Sequence, residues 1–574
     1  GRSGGDHDGM ILLFLSIAGL ALGPVLDRFV RRQLPVVAFL EGFVAATILG
    51  LVLGHILPEA VEIGGWLCLP AALLGLVGPQ LAERWGAGSD LPIHGTVAVF
   101  AVAAIFLHTL MDGAALAAAH HAPQEQAASA LAIGVVLHRL PVGLTLWWLV
   151  RRGVGTTAAV GALAGICLGT VAGFSAGEAV VHRLDTASVA LFQALVGGSL
   201  IHVVLHRSLT EEQGSLDAGE LGRIWGLSWS GVGALLGIAA LLAVPLSGHR
   251  MEEHVGVVDT FLSILVLCAP YLLAGLLAVG LLHVLAPTST VASRLNHVCG
   301  LFAGSLTRPE EARSPASAPP AARVLMMGLT PLLGVDVLLL SVPTLSAPLA
   351  IARISATGLF ALVLYGLFRK PAGSPALSPD GSAETKSDRR GVLYHGLVQT
   401  VDRSAPWLLI GFFAATMLGV FLPPNWFANI PTTYQVIGLA LLAALIPLPN
   451  AAALPVCLAL LHRGLSPGAA LAFLVVSPVL GRAALLALAQ VSGRMAPRRL
   501  AFAALLCAVL SGLAVNQIPL PSLSAGALHD AMPPWRLFCA AVLILLFVFS
   551  LLRVGPAAMV ARLGQSHDHH HHGH

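Results

Sequence analysis

Charge is scarce in this chain, and its scarcity excludes most soluble proteins. Only 10% of the 574 residues are charged while 56% are hydrophobic, and the mean hydropathy is +0.85. Soluble domains carry about 25% charged residues. The net charge of +3 is also too small to indicate a nucleic-acid partner. The composition therefore predicts an integral membrane protein.

Paired cysteines, alternating strands and protease motifs are missing too. The seven cysteines lie scattered in apolar runs without a CxxC pair, which predicts neither a disulfide framework nor a thiolate metal site. No HExxH is present, and an enzyme is not expected. Apolar runs of roughly 20 residues recur instead from end to end. The predicted fold class is all-α, a polytopic membrane protein with about 14–16 membrane segments.

The N-terminal half predicts eight membrane helices. Their approximate bounds are 10–27, 36–57, 66–82, 94–119, 127–150, 156–182, 187–206 and 228–247. Arginines between these runs fall in alternate loops, which the positive-inside rule assigns to the cytoplasm. We therefore expect the N-terminus outside a bacterial inner membrane and the C-terminal tail in the cytoplasm.

Composition also predicts the domains. Residues 1–9 are set apart as a leader, followed by a first domain at 10–250, a repeat at 256–368, a cytoplasmic linker at 369–394, a second repeat at 395–554 and a tail at 555–574. The tail ends in GQSHDHHHHGH and predicts a loose site for divalent transition metals. Its candidate ligands are His567, His569, His570, His571, His572 and His574.

A candidate metal site lies in the fourth and fifth predicted spans. The stretch GVVLHRLPVGLTLW, residues 134–147, places His138 and Arg139 in an apolar run, where polar groups are costly without a partner, a cavity or an ion. In the fourth span, His108 and Asp112 are four residues apart and share a helix face. Two imidazoles and a carboxylate suit Zn²⁺ or a similar cation and leave one position open. A metal-free pairing of His108 with Asp112 is the alternative.

Four motifs in order carry a resemblance to a known family. They read GHILPEA, HTLMDG, HRLPVG and GGSLIHVVLH, and over roughly residues 10–247 the chain resembles the ZIP family of zinc and iron permeases. The resemblance implies an eight-helix metal transporter in which His108, Asp112 and His138 match the first metal position. It also implies possible pathway or supporting roles for His55, Glu59, Arg139, His202 and His206.

Departures from the family motifs predict one metal ion where the family has two. The family has Asn, Asp and Glu where this chain has Thr109, Arg139 and Val142, and the sixth span contains no carboxylate in GALAGICLGTVAG. The fixed charge of Arg139 can stand in for the second cation. Gly113 and Gly143 are expected to let the helices approach closely. A scaffold that has lost transport is the alternative.

The C-terminal half contains an internal duplication. APYLLAGLLAVGLLHVLAP at 269–287 returns as APWLLIGFFAATMLGVFLP at 405–423. This half resembles a two-repeat permease family of heavy-metal efflux proteins related to organoarsenical permeases, most clearly at 446–481, a Pro-interrupted pair of half-spans. That family usually carries cysteines where this chain reads NAAALPV, which disfavours a soft-metal site. Asp336 and Arg482 are expected to form a structural pair between the repeats.

Transport of Zn²⁺ or another divalent metal through the first half is the function that the sequence favours. Efflux through the second half is the alternative within the same class, and a metal sensor or scaffold without transport is the alternative outside it. The expected partners are metal ions and the lipid bilayer, without nucleic acid, and a homodimer stays open.

Overall fold

A computed structural model describes the greater part of the chain as helix. The described residues are 3–30, 34–86, 106, 109–110, 113, 139–140, 142–144, 146–148, 150–151, 154–181, 186–211, 223–224, 227–243, 251–285, 325, 328–329, 331–334, 337–341, 347–368, 389–481, 485, 488–489, 495–518, 533–556 and 558–559.

The elements are numbered in chain order. The helices of the first half are α1 (Ser3–Val30), α2 (Leu34–Leu51), a π-turn (Val52–Ile56), α3 (Leu57–Gly64), α4 (Cys68–Gly86), α5 (Thr156–Val181), α6 (Thr186–Glu211) and α7 (Trp229–Ala243), with a short ribbon of β1 (Arg223–Ile224) and β2 (Leu227–Ser228) before α7. The second half contains α8 (Met251–Leu285), α9 (Ala347–Phe368), α10 (Arg389–Phe421), α11 (Thr432–Leu445), α12 (Asn450–His462), α13 (Pro467–Val476), α14 (Ala496–Val515) and α15 (Pro534–Val554).

Eight of the described helices are long and apolar enough to cross a membrane. Shorter apolar helices of 10–17 residues accompany them. In lipid every backbone N–H and C=O must be paired within the segment, a requirement that a helix meets by itself. The protein is an all-α, multi-pass membrane protein, as its composition predicts.

Six of the eight helices predicted in the first half are described along most of their length. The predicted spans at 10–27, 156–182 and 228–247 correspond to α1, α5 and α7, and the predicted third and seventh spans to α4 and α6. Of the fourth and fifth predicted spans, only scattered residues are described, and each of them is helical.

The second span is longer than predicted. The sequence predicts that it ends near residue 57, within the GHILPEA motif. The helix instead widens into the π-turn, in which the Leu57 N–H reaches the Val52 carbonyl. Pro58 then lies in the first turn of α3, where a proline is tolerated. The helix ends at Gly65, whose φ of 75° favours glycine.

The chain divides into two compact units. Unit 1 comprises Gly1–His254 and Leu551–Ala561, and unit 2 comprises Val255–Ser550 and Arg562–His574. Within unit 1, the Ser228 hydroxyl donates to the Leu552 carbonyl at 3.1 Å, which connects the C-terminal segment to the start of α7.

Unit 2 contains a buried hairpin of two short helices, α12 and α13. At about 20 and 15 Å they are too short to cross a hydrocarbon core of about 30 Å. Gly464, with φ 88°, lies in the turn between them, and the Ser466 hydroxyl caps α13 by accepting from the Ala469 N–H. At the open end, the Ser477 hydroxyl donates to the Leu448 carbonyl at 3.1 Å and accepts from the Leu448 N–H at 2.7 Å. The predicted pair of half-spans thus forms a hairpin of two short apolar helices.

The two copies of the internal duplication adopt the same local structure. Each forms one long helix with an internal proline, Pro270 in α8 and Pro406 in α10. Equivalent positions are buried in both copies, namely Ala269 and Ala405, Leu272 and Leu408, Leu276 and Phe412, and Val279 and Ala415.

Candidate functional site

The predicted metal ligands fall in the part of the chain that the structure does not describe. Outside the described residues lie His108, Asp112, His138, Asp336, Arg482 and the histidines of the tail. The described residues that follow the three candidate ligands of unit 1 are Thr109, Gly113 and Arg139, and all three are buried. The Thr109 hydroxyl donates to the Phe106 carbonyl of its own helix at 2.8 Å, so it is satisfied locally.

Arg139 is completely buried, with 0% of its surface exposed. The helical segment that follows it packs into a hydrophobic core with Leu20 of α1 and Ile166 of α5. A charge is expensive to bury in such surroundings, and removing one partner of a buried pair costs about 3–5 kcal/mol. A guanidinium at this position therefore requires polar interactions, because the apolar core alone does not stabilise it.

Gly113 and Gly143 both lie at close helix contacts, as predicted, although they do not contact each other. A Cβ at Gly143 would lie 2.6 Å from the Leu20 carbonyl oxygen of α1. A Cβ at Gly113 would lie 2.8 Å from the backbone nitrogen of Phe174 in α5. The segment around residue 143 therefore packs on α1, and the segment around residue 113 packs on α5.

A carboxylate in α1 connects that helix to the far end of the 139–151 segment. The side chain of Asp27, 7% exposed, accepts hydrogen bonds from the indole N–H groups of Trp147 and Trp148, each at 2.9 Å. Arg151 donates to the same carboxylate at 2.7 Å and lies over the Trp147 ring. Three donors on one carboxylate hold α1 and this segment in a fixed register.

The Asp27 cluster is absent from our sequence-based prediction. A carboxylate at the end of an apolar run and two adjacent tryptophans near an arginine are its sequence signals. Nothing in the spacing pairs residue 27 with residues about 120 positions later, because that pairing depends on how the helices pack.

Of the other predicted pathway residues, the structure describes the side chains of Glu59 and His202 but not those of His55 and His206. The side chains of His55 and His206 lie outside the described residues, while their backbones belong to the π-turn and to α6. His202 of α6 is 2% exposed, and Glu59 of α3 is half-buried. On α6, Gly197 faces Val52 in the π-turn, where a Cβ would approach the valine side chain to 3.1 Å.

Within the described residues, no group of three or more His, Cys, Asp or Glu side chains is arranged to hold a metal ion. The described histidine and carboxylate of this region, His202 and Glu59, therefore do not form a complete centre by themselves. A metal site in unit 1 therefore needs ligands from outside the described residues.

Unit 2 contains a second completely buried arginine, Arg353 of α9, which our sequence reasoning missed. Its guanidinium donates to the Ser341 hydroxyl and to the Asn450 side-chain oxygen, both at 2.7 Å. The Asn450 amide nitrogen in turn donates to the Pro331 carbonyl. Asn450 is the first residue of α12, so the network connects α9 and the Pro331 region to the start of the hairpin. An arginine in the apolar run APLAIARISATGLF is the signal that a sequence reading can use.

Comparison with protein-family models, with curated proteins and with solved structures gives no match. The fold and the side-chain geometry are therefore the basis for the assignment of function.

Proposed function

We propose that the protein transports divalent metal cations across a membrane, Zn²⁺ first, through a single-ion site in unit 1. His108, Asp112 and His138 supply two imidazole nitrogens and a carboxylate, a donor set that suits Zn²⁺. The fourth coordination position stays open for water, so the ion can enter and leave. The membrane is a bacterial inner membrane, with the N-terminus outside.

The complete burial of Arg139 is the observation that carries this proposal. Charged residues inside membrane helices mark ion pathways more often than lipid-facing surfaces. Arg139 directly follows His138, so a permanent positive charge lies in the interior of unit 1 beside one of the three candidate ligands. This charge favours occupancy by one cation, because it repels a second ion at the position where ZIP-like motifs carry acidic residues.

Close contacts at glycines support the proposal that the segments carrying the candidate ligands pack within one set of helices. They pair α1 with the 139–151 segment and α5 with the segment around Gly113. A second set pairs α2 with α7 and α4 with α6, where a Cβ at Gly237 would meet Phe43 and one at Gly75 would meet Leu195. Since α1 also contacts α5, the segments that carry the candidate ligands belong to the same set of helices.

The described contacts of unit 2 do not favour metal efflux through that unit. Its buried thiols Cys268, Cys457 and Cys507 belong to no metal-sized group of side chains within the described residues. Asn450, which begins the segment where the efflux family usually carries cysteines, is hydrogen-bonded to Arg353 and Pro331. Soft metals favour several thiolate ligands, and the described α12–α13 hairpin contains the single thiol of Cys457.

Uptake of zinc by proteoliposomes tests the proposal. The chain is purified without the residues after Gln565, and inward and outward zinc gradients are compared. We expect His108→Ala, Asp112→Asn and His138→Ala each to reduce the initial rate at least tenfold, since each removes one of three ligands. Glu62→Gln, at an exposed position of α3, is the control and should match the parent. Zinc binding without uptake in either gradient would instead support the sensor or scaffold.

A further inference from the structure

The turn between α12 and α13, residues 463–466, is held in unit 2 by the side-chain amides of two neighbouring helices. Gln435 of α11 accepts from the Ser466 N–H at 2.8 Å, and its amide nitrogen donates to two carbonyls of the loop at 422–431. Asn516, which directly follows α14, donates to the Ser466 hydroxyl at 3.3 Å and accepts from a backbone N–H in the first turn of α13 at 2.8 Å. The position of the turn thus depends on a small set of polar contacts.

A histidine with one unpartnered ring nitrogen adjoins this turn. His462 is the last residue of α12, and its Nδ1 lies 2.8 Å from the Leu458 carbonyl oxygen. A carbonyl can only accept, so Nδ1 carries the proton of the neutral ring. The other nitrogen, Nε2, is buried and has no hydrogen-bond partner among the described residues. The neutral ring therefore fits this site, because its buried Nε2 has no N–H that needs an acceptor.

Protonation of this ring opposes the closed position of the turn. It adds an N–H donor and a positive charge at Nε2, and an unsatisfied buried donor is destabilising, the more so when it is charged. Arg463, the next residue, carries a charge of the same sign. Burial lowers the pKa of His462; the hydrogen bond to Leu458 opposes this shift, and the Arg463 charge adds to it.

The described surroundings of His462 contain no acidic side chain that would stabilise a charged ring. Helix α12 packs against α10 and α13. The part of α10 beside α12, from Gly411 onward, has no titratable residue, nor do α13 and the loop at 422–431. Of the two helices that bind the turn, α11 contributes the exposed Tyr434, and α14 contributes the buried Cys507 in the middle of the helix. Arg353 meets α12 at its opposite end.

The turn lies at the end of α14 that is remote from the arginines of this helix. Asn516 binds the turn, while Arg498 and Arg499 lie in the first turn of α14. The positive-inside rule assigns such arginines to the cytoplasm, so under the proposed orientation the turn lies on the outer side of the membrane. His462 is then positioned to respond to the pH outside.

We propose that the α12–α13 turn is a pH-sensitive latch, closed while the His462 ring is neutral and loosened when the ring is protonated. Loosening separates residues 463–466 from Gln435 and Asn516. Because the closed turn disfavours the proton, its stability is complete above the ordinary histidine pKa of about 6.5 and falls as the pH decreases below it. The latch belongs to unit 2 and does not depend on metal transport through unit 1.

Hydrogen exchange of the full chain in detergent at about pH 7.5 and about pH 5.5 tests the latch. After correction for intrinsic exchange rates, the Ser466 amide should exchange at least about threefold faster at the lower pH. His462→Gln and His462→Phe should abolish this difference, because neither side chain titrates. Asn516→Ala is the control: it removes one contact of the turn, so exchange should be faster at both pH values while the pH dependence persists. Equal protection of the parent at both pH values, or the same pH effect in the His462 variants, would overturn the proposal.

Titration of the ring itself provides a second, independent test. In protein labelled with ¹³C-histidine, the NMR signal that is missing from His462→Phe at neutral pH belongs to this ring. We expect it to titrate below the ordinary value of about 6.5. Titration at or above that value would overturn the latch, because protonation would then stabilise the closed turn.

Discussion

Among the described residues, Arg353 of unit 2 and Arg139 of unit 1 are both completely buried, and the described surroundings of the two side chains differ. Arg353 in unit 2 donates hydrogen bonds to Ser341 and Asn450, and the Asn450 amide donates to the Pro331 carbonyl. Arg139 in unit 1 precedes a helical segment that packs into a hydrophobic core with Leu20 and Ile166. The described contacts of Arg353 thus form a polar network, whereas the described segment that follows Arg139 packs into an apolar core.

Under the proposed function, this difference predicts a structural role for the Arg353 network and a role in metal binding for the surroundings of Arg139. A polar network whose members bind one another makes a segment rigid and specifies its position. In unit 2, Asp402 follows the same rule and accepts from the Ser550 hydroxyl at 2.7 Å. We therefore expect substitutions in unit 2 to act on folding and those around Arg139 to act on metal.

The largest effect should come from Arg353→Ala. It leaves Asn450 and Ser341 without their buried donor, so we expect unit 2 to lose about 3–5 kcal/mol of stability. Hydrogen exchange in α12 and α13 should accelerate, while zinc binding by unit 1 persists. Arg498→Ala, at an exposed position of α14, is the control. Loss of zinc binding together with unchanged hairpin protection would reverse the roles of the two units.

Removal of the Asp27 carboxylate should have the next largest effect. Asp27→Ala removes the carboxylate that accepts from two indole N–H groups and from Arg151. We therefore expect the free energy of unfolding to fall by about 2–4 kcal/mol. Thermal unfolding in detergent measures it, with the exposed Glu62→Ala as the matched acidic control. Because Asp27 fixes the register of α1, zinc affinity should fall as well. A variant with parental stability would mean that the glycine contacts alone hold this interface.

A methyl group at Gly143 should destabilise unit 1 by about 1–3 kcal/mol, because the Leu20 backbone cannot move aside cheaply. Gly161→Ala on α5 is the control, since a Cβ there meets nothing within 4 Å. On an open helix face alanine is favoured over glycine, so this variant should be neutral or slightly more stable. Equal stability changes in the two variants would show that α1 does not pack as closely as the structure indicates.

Deletion of the residues after Gln565 should have the smallest effect on transport. The histidine tail is a loose binder, so its loss should lower metal retention in cells but leave the zinc flux into vesicles nearly unchanged. Flux is measured with the full-length and shortened proteins at equal density. A strong loss of flux would place the tail on the pathway.

Much of the fold follows from local sequence patterns. Apolar runs predict α1, α5 and α7 because each helix pairs its own backbone, and IPLPNAAALPV with LSPG predicts the α12–α13 hairpin because proline and glycine interrupt helices locally. The π-turn is not predicted, because the sequence shows Pro58 but not that the preceding turn can widen around it.

The unpredicted parts of the sites depend on contacts between distant residues. The Asp27 cluster joins α1 to Trp147, and Arg353 meets Asn450 far along the chain. These contacts depend on how the helices pack against one another, which the spacing of residues within a single helix does not predict.

The zinc stoichiometry of the tail-free protein tests the central claim most directly. We predict one ion per chain, lost in His108→Ala, and two ions in the double variant Arg139→Asp, Val142→Glu, which replaces the permanent charge with two carboxylates. The single variant Arg139→Asp should keep one ion, bound at least as tightly, because a repulsive charge is removed. Two ions in the parent, or none in Arg139→Asp, would contradict a single-ion site beside Arg139.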